Sequence, residues 1–146
     1  MVRIETLTPE FVRSRIDDFL DIASDVDGEY WREENFLYVL PEKWRLSLVV
    51  VDEIRPVGYA IVSRRSPGRA HLHHFMVHRE FRSRGIGAKL ADRMEFIAAK
   101  AGASWLSLKV AIGNNGAQRF YASRNYREDE RDDSYLTMIK PVGGAR

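Results

Sequence analysis

Apolar and polar residues alternate from Val2 to Leu7, the period of a strand with one covered face, and Thr8-Pro9-Glu10 then supplies an N-cap, a first-turn proline and an early acid. From there the period lengthens. Val12, Ile16, Phe19, Leu20 and Ala23 recur at helical spacing with Asp17, Asp18 and Asp21 on other faces, which predicts a helix ending near Asp27-Gly28. Tyr30 to Leu40 is aromatic and apolar enough for a second short helix, stopped by Pro41.

The middle of the chain returns to strand character. Leu46 to Val51 is rich in β-branched residues, Asp52 to Pro56 supplies a turn, and Val57 to Ser63 resumes with apolar residues, so a hairpin is expected. Ser66-Pro67-Gly68 turns the chain into a further strand over Ala70 to Val77. After a glycine-rich turn, Ile86, Leu90, Met94, Ile97, Ala98 and Ala101 mark one face of a helix that Gly102 ends. Trp105 to Val110 predicts a strand and Asn114 to Arg124 a short helix. Tyr126 to Lys140 predicts two strands interrupted by the charged segment REDERDD. The order strand, glycine turn, helix, strand is a βαβ unit, so the strands at 70–77 and 105–110 should run parallel through a right-handed crossover. With hairpins elsewhere, the pattern gives an α/β (α+β) class: one mixed sheet with helices on its faces.

Composition narrows the setting. A chain of 146 residues fits one domain, expected over 1–140 with 141–146 as a loose tail. It has no cysteine, which removes disulfides and thiolate metal sites and fits a reducing, cytoplasmic setting. The N-terminus lacks the apolar core of a signal peptide, and no apolar run approaches the ~20 residues needed to span a bilayer, so no membrane partner is expected. A net charge of +2 is too small to argue for nucleic acid. Its distribution is uneven, with Asp17, Asp18, Asp21, Asp25, Asp27, Glu29, Glu33 and Glu34 facing Arg32 alone over residues 17–34.

The candidate chemistry lies in AHLHHFMVHREFRSRGIGAKL, residues 70–90. Gly85 and Gly87 lack Cβ, the amides of Arg82, Ser83, Arg84, Ile86 and Ala88 can turn inward around them, and a helix N-terminus begins at the same point. With Arg79, Arg82 and Arg84 nearby, an anion is the expected guest. A dinucleotide fingerprint is excluded because Leu90 stands three residues after Gly87, and the chain has no P-loop pattern.

Val77 followed by Arg82-x-x-Gly85-x-Gly87-x-x-Leu90 resembles the acyl-CoA pyrophosphate motif of the GNAT superfamily of N-acetyltransferases. Downstream, Asn114-x-x-Ala117-x-x-Phe120-Tyr121 is similar to the same family's second motif, followed by Asn125-Tyr126 where the family usually has Gly-Phe. Asn tolerates the left-handed conformation better than other non-glycine residues, so the fold stands. The resemblance implies a mostly antiparallel sheet of six to seven strands with helices on both faces. It also implies acetyl-CoA as cosubstrate, without a metal, held by Phe75, Met76 and Val77, by the turn from Arg82 to Ala88, and by Asn114 and Tyr121. The oxyanion is then expected to meet a backbone amide near Phe75 to Val77, with Arg79, Arg84 or Lys89 near the 3′-phosphate. AHLH followed by VHREFRSRGIG is further similar to the arylalkylamine N-acetyltransferases, in which such a His-x-His pair is associated with removing the amine proton.

The residues fit that chemistry. Keeping an amine of pKa about 10.4 neutral at pH 7 costs roughly 4 to 5 kcal/mol, and histidine, with pKa about 6.5, accepts protons at working pH. His71 and His73, two apart on a strand, face one side and form the expected proton exit, with His73 nearer the amine; His74 should face the other side. Glu33 and Glu34 are rival bases. By resemblance Tyr121 protonates the departing thiolate. A phenol of pKa about 10 donating to a thiolate whose acid has pKa about 8.5 is uphill by ~2 kcal/mol, so a stabilising hydrogen bond from Tyr121 serves as well.

The expectation is an N-acetyltransferase acting by direct attack of a primary amine in a ternary complex. Protein N-terminal or lysine acetylation is the alternative enzyme, and a non-catalytic acyl-CoA sensor the alternative class. The acidic stretch favours a cationic small-molecule or peptide amine. REDERDD and the last strands leave a homodimer open.

Overall fold

The computed structural model describes residues 1–25 and 30–143. Seven strands form one sheet in the order β1-β2-β3-β4-β5-β7-β6. They are β1 (Val2–Thr6), β2 (Leu48–Asp52), β3 (Arg55–Ser66), β4 (Arg69–Val77), β5 (Trp105–Ala111), β6 (Arg127–Arg131) and β7 (Tyr135–Pro141). Six helices accompany them: α1 (Pro9–Ser14), α2 (Ile16–Ala23), α3 (Glu33–Leu37), α4 (Lys43–Leu46), α5 (Ile86–Lys100) and α6 (Asn115–Ser123). Every neighbouring pair is antiparallel except β4–β5, joined through α5 as the βαβ pattern predicts.

The two sheet faces are covered unequally. On one, α5 and α6 bury a core that spans β2 to β7 and includes Leu72, Ile86, Leu90, Met94, Leu106, Leu108 and Met138. On the other, α1 to α3 cover β2 to β4 only, through Val12, Phe19, Phe36, Val49, Tyr59, Ile61 and Met76. The β5–β7–β6 end of that second face contributes nothing to either core, and Trp105, Lys109 and Tyr135 stand exposed there.

Register decides where the site opens. β4 and β5 pair only from Arg69–Trp105 to Leu72–Leu108, yet both strands run on, held by β3 and β7 on their outer sides. Beyond Leu72 they part. At the same point β4 carries an extra residue: Ile61 faces His74 and Val62 faces Leu72, so His73 is bulged out of the ladder. A bulge resets the alternation of side chains. Leu72 and Phe75 therefore both point to the α5 core, while His74 turns to the opposite face, where it stacks on Trp31 at 4.4 Å.

Several expectations are corrected. The helix predicted after Thr8 is two, broken at Arg15, whose φ of −128° and ψ of 28° leave helical geometry; the predicted end near Asp27-Gly28 falls outside the described residues. Only Glu33–Leu37 of the predicted 30–40 helix forms, and α4 follows from a left-handed Glu42 (φ 59°) that no sequence signal marked. Lys43 is buried at its start, and its ammonium donates to the carbonyls of Asn35 (3.3 Å), Phe36 (2.6 Å) and Tyr38 (2.8 Å), which closes the end of α3. REDERDD does not interrupt two strands, because REDER is itself the exposed edge strand β6. Charge on an edge strand blocks further strand pairing without opposing the strand conformation. Within the expected tail, Pro141 pairs with Trp105, and the amides of Val142 and Gly143 donate to Ser104 O; residues 144–146 lie outside the described residues.

Candidate active site

The end of β4, the turn into α5 and the start of α6 line a cleft of about 830 Å3. Its floor is Phe75, Met76 and Val77 of β4, one wall is Ser83, Gly85, Ile86, Gly87 and Ala88, and the other is Asn114, Ala117, Phe120 and Tyr121 of the α6 region. Gly85 is left-handed at φ 77°, and it caps α5 without any side-chain hydrogen bond, so the first amides of a 15-residue helix open on the cleft. A Cβ on Gly87 would stand 3.9 to 4.0 Å from Phe120 and Val77, filling the cleft without striking the protein. Ser83 is also left-handed, at φ 63°, which completes the concave turn.

The basic residues near this turn divide. Arg82 lines the cleft, with its Nε donating to Val77 O at 3.0 Å and its Nη2 paired to Asp25. Arg84, like Arg79 and Lys89, does not line it. Its guanidinium folds back to Glu80 O at 2.9 Å and lies 4.8 Å from the Phe81 ring centre. Arg79 pairs with Asp21 at 3.4 Å, and Lys89 lies outside the cleft lining. Asp21 also accepts from Nε2 of the buried His78 at 3.0 Å, while His78 Nδ1 accepts the Glu80 amide at 3.1 Å. That bond and the Arg79 charge hold the Asp21 carboxyl below the usual carboxylate range. Asp21 and Asp25 of the acidic stretch therefore brace the turn after β4; Glu33 and Glu34 lie exposed on the first turn of α3, outside the cleft lining.

A second, smaller recess of about 110 Å3 sits between the parted strands, lined by His73, His74, Lys109, Val110 and Ala111 among others. It shares Phe75, Met76, Asn114, Ala117 and Tyr121 with the larger cleft. Asn114 caps α6 through Ala117 N–H at 3.1 Å, and that helix presents Tyr121, buried against the rings of Phe75, Phe120 and Tyr126. Tyr126 is in turn fixed by its hydroxyl donating to Glu95 Oε2 at 3.0 Å. Asn125 takes φ 73°, the left-handed conformation that its residue type tolerates.

His71 and His73 do share a face, edge to face at 4.9 Å, and the bulge brings His74 onto that face as well, against the alternation expected from sequence. Each of the pair is held by a serine: His73 Nε2 lies 2.7 Å from Ser63 Oγ and His71 Nδ1 lies 2.7 Å from Ser107 Oγ. Arg69 Nε donates to the same Ser107 Oγ at 2.9 Å, and Ala70 O lies 3.5 Å from that hydroxyl, so Ser107 gathers Arg69, His71 and a strand carbonyl. Burial, then the charges of Arg65 and other nearby cations, push His71 down to about 3; burial, Arg65 and Lys43 push His73 down to about 4. Both imidazoles are therefore neutral across the physiological range and accept hydrogen bonds without storing protons. His74 Nδ1 lies 2.7 Å from the buried Tyr59 hydroxyl.

Residues 11–126 match the Acetyltransferase (GNAT) family. This chain is a member of that family. A curated relative, an uncharacterised N-acetyltransferase of Methanocaldococcus jannaschii, is 34% identical over 73 residues, half of this chain; the chain spans about a third of that relative's length, 32%. The fold of this GNAT chain is shared with solved structures. Ard1 from Thermoplasma volcanium superposes with a TM-score of 0.83 at 23% identity over 97% of each chain. The ribosomal-protein-S18-alanine N-acetyltransferase of Escherichia coli gives 0.84 at 20% identity over all of this chain and 97% of that one. The PaiA N-acetyltransferase of Thermoplasma acidophilum, solved with coenzyme A, gives 0.76 at 19% identity over 97% of this chain and 99% of its own. Among the described residues no group of three or more metal-ligating side chains is gathered, and no helix is long and apolar enough to cross a membrane.

The buried histidines make stability depend on pH. Unfolded His71 takes up a proton near pH 6.5, whereas the folded side chain does not until about 3, so stability falls as pH drops through that window, by on the order of 3 kcal/mol at pH 4. Urea unfolding of His71→Gln should lose about 2 kcal/mol less than wild type between pH 7 and pH 4.5; an equal loss in the two proteins contradicts the buried neutral imidazole.

Proposed function

We propose that this chain transfers acetyl from acetyl-CoA to a primary amine by direct attack within a ternary complex. One observation carries the reading: the cleft over the α5 N-terminus and the recess beside His73 meet at Tyr121 and Phe75. A donor and an acceptor approaching from the two sides would come together there.

The cleft suits the pyrophosphate of acetyl-CoA because the uncapped amides of Ile86, Gly87 and Ala88, the missing Cβ of Gly87 and the Arg82 guanidinium all face it. Acetyl-CoA supplies the thioester carbonyl; the chain supplies position and polarity. The His78 amide donates across to Val57 O at 2.7 Å, so strand alternation turns the amides of Phe75 and Val77 the other way, toward the gap left by β5. An amide aimed there is the donor for the oxyanion. Tyr121 stabilises the departing thiolate by hydrogen bond or proton. His73 accepts an N–H of the neutral amine and orients its lone pair. An imidazole held near 4 would take a proton from an alkylammonium of pKa about 10.4 only at a cost of roughly 9 kcal/mol, so the amine enters as the free base. Once bonding to the carbonyl carbon has made the nitrogen acidic, its proton is lost as the C–S bond breaks and is taken up by the departing thiolate, which leaves as the thiol.

A peptide amino terminus is the acceptor that the recess favours over an enclosed small molecule. The recess is small, about 110 Å3, and Lys109 and Ala111 on its β5 side belong to the uncovered β5–β7–β6 face, along which a longer acceptor could extend. Ard1 and the S18-alanine enzyme share this fold, and the latter's name states a protein acceptor.

Thiol release from acetyl-CoA, measured against arylalkylamines, polyamines, aminoglycosides and peptides, should be stimulated by at least one class; none doing so supports the sensor instead. Tyr121→Phe should lower turnover by roughly 10²-fold with the KM for acetyl-CoA little changed, and unaltered turnover rejects its chemical role. Gly87→Ala should raise the KM for acetyl-CoA at least tenfold while thermal stability holds or rises, since alanine is the better helix former by about 1 kcal/mol. An unchanged KM would place the cosubstrate elsewhere.

A further inference from the structure

The sheet face beside the recess carries Arg65, Arg69 and Lys109, none of which is in ion-pair contact with a carboxylate among the described residues. Ser63, His71 and Ser107 are register partners across β3, β4 and β5, and they form a buried polar row under that face. Arg65 rises from a bulge of β3 next to it, Arg69 is tied to its far serine, and Lys109 stands two residues along β5. Among the described residues no carboxylate pairs with Arg65 or Arg69. Lys109 feels Asp132, but that carboxylate accepts the amides of Ser134 and Tyr135 at 2.8 and 2.7 Å, which turns it to its own hairpin. Lys43, the other cation near His73, has its ammonium closed by three carbonyls and is buried. The cations of the opposite cleft differ, since Arg79 and Arg82 are matched by Asp21 and Asp25.

Resting on the proposed function, we infer that the acceptor carries an anionic group, a carboxylate or a phosphate, a few bonds from the amine it presents. Two physical effects converge on this. A cationic rim disfavours the ammonium form of a bound amine, which helps to deliver the free base that attack requires. The same rim repels acceptors whose only charge is positive, such as polyamines and aminoglycosides, and attracts those that bring an anion to the planar forks of Arg65 and Arg69. Two kinds of molecule present that chemistry: an amino acid with its own carboxylate, and a peptide whose acidic side chains follow its amino terminus. This reverses the cationic acceptor suggested by the acidic stretch, whose Asp18, Asp21 and Asp25 pair with Arg15, with Arg79 and His78, and with Arg82.

The test uses the intact chain, acetyl-CoA and matched acceptors in two arms. One arm compares phenylalanine with phenylalanine amide; the other compares a pentapeptide bearing Asp at positions two and three with its Asn counterpart. Initial rates of thiol release are taken at 20 and 200 mM NaCl. The anionic member should be favoured at least tenfold in kcat/KM in one arm, and which arm responds tells the free amino acid from the peptide. The advantage should shrink in high salt, fall at least fivefold in Arg65→Gln and Lys109→Gln, and be largely retained in Arg65→Lys. The KM for acetyl-CoA and the melting temperature of each variant report an intact donor side and fold. Equal or better use of the neutral members in both arms overturns the inference while leaving acetyl transfer in place, as does a preference that survives Arg65→Gln and Lys109→Gln. Absence of release from every acceptor removes the proposed function itself.

Discussion

Everything at this site depends on two parallel strands that stop pairing. β4 and β5 share four register pairs and then separate, each still held by its antiparallel neighbour, β3 or β7. Unpaired backbone in a protein interior is costly unless a partner or solvent meets it, so a parting of this kind persists because the gap is lined and open. The extra residue at His73 sits where the separation begins and sets which side chains face each compartment. Phe75 is directed to the α5 side, where the α6 aromatics close on it at 5.9 and 6.3 Å, and His73 and His74 are left on the recess side. One bulge thus sets which side chains form the floor of the larger cleft and the polar edge of the smaller recess.

The two compartments differ in electrostatic design. Around the α5 N-terminus the helix dipole and Arg82 provide attraction for an anion, and Asp21 and Asp25 hold the neighbouring arginines in place. Beside the histidines, cations stand without such partners and burial dominates. The imidazoles are desolvated, bonded to serines and driven neutral, which suits hydrogen-bond acceptance better than proton storage. A histidine's ordinary pKa would have suggested the opposite role.

The sequence made the donor side legible because its signals are local. Glycines at a strand-to-helix turn, the arginine three residues before them and an asparagine at the next helix cap each act within a few residues, and all but Arg84 line the expected cleft. Arg84 was misplaced because a long side chain on a tight turn can fold back onto the carbonyl four residues before it, a choice spacing does not encode. The acceptor side is built from contacts across strands. Ser63 and Ser107 are ordinary strand residues until register sets them beside His73 and His71, and the absence of an ion pair to Arg65 among the described residues is visible only from the fold. The bulge at His73 defeats strict alternation for the same reason. REDER forms a strand although its composition opposes one, since an exposed edge asks only for an extended backbone and pairing with β7.

The most direct measurement is a crystal structure of this chain with coenzyme A. The account predicts a pyrophosphate on the amides of residues 85–88 and a thiol at the junction of the two cavities, within hydrogen-bond reach of the Tyr121 hydroxyl. A coenzyme whose pyrophosphate avoids the α5 N-terminus, or whose sulfur lies away from Tyr121 and Phe75, would contradict it.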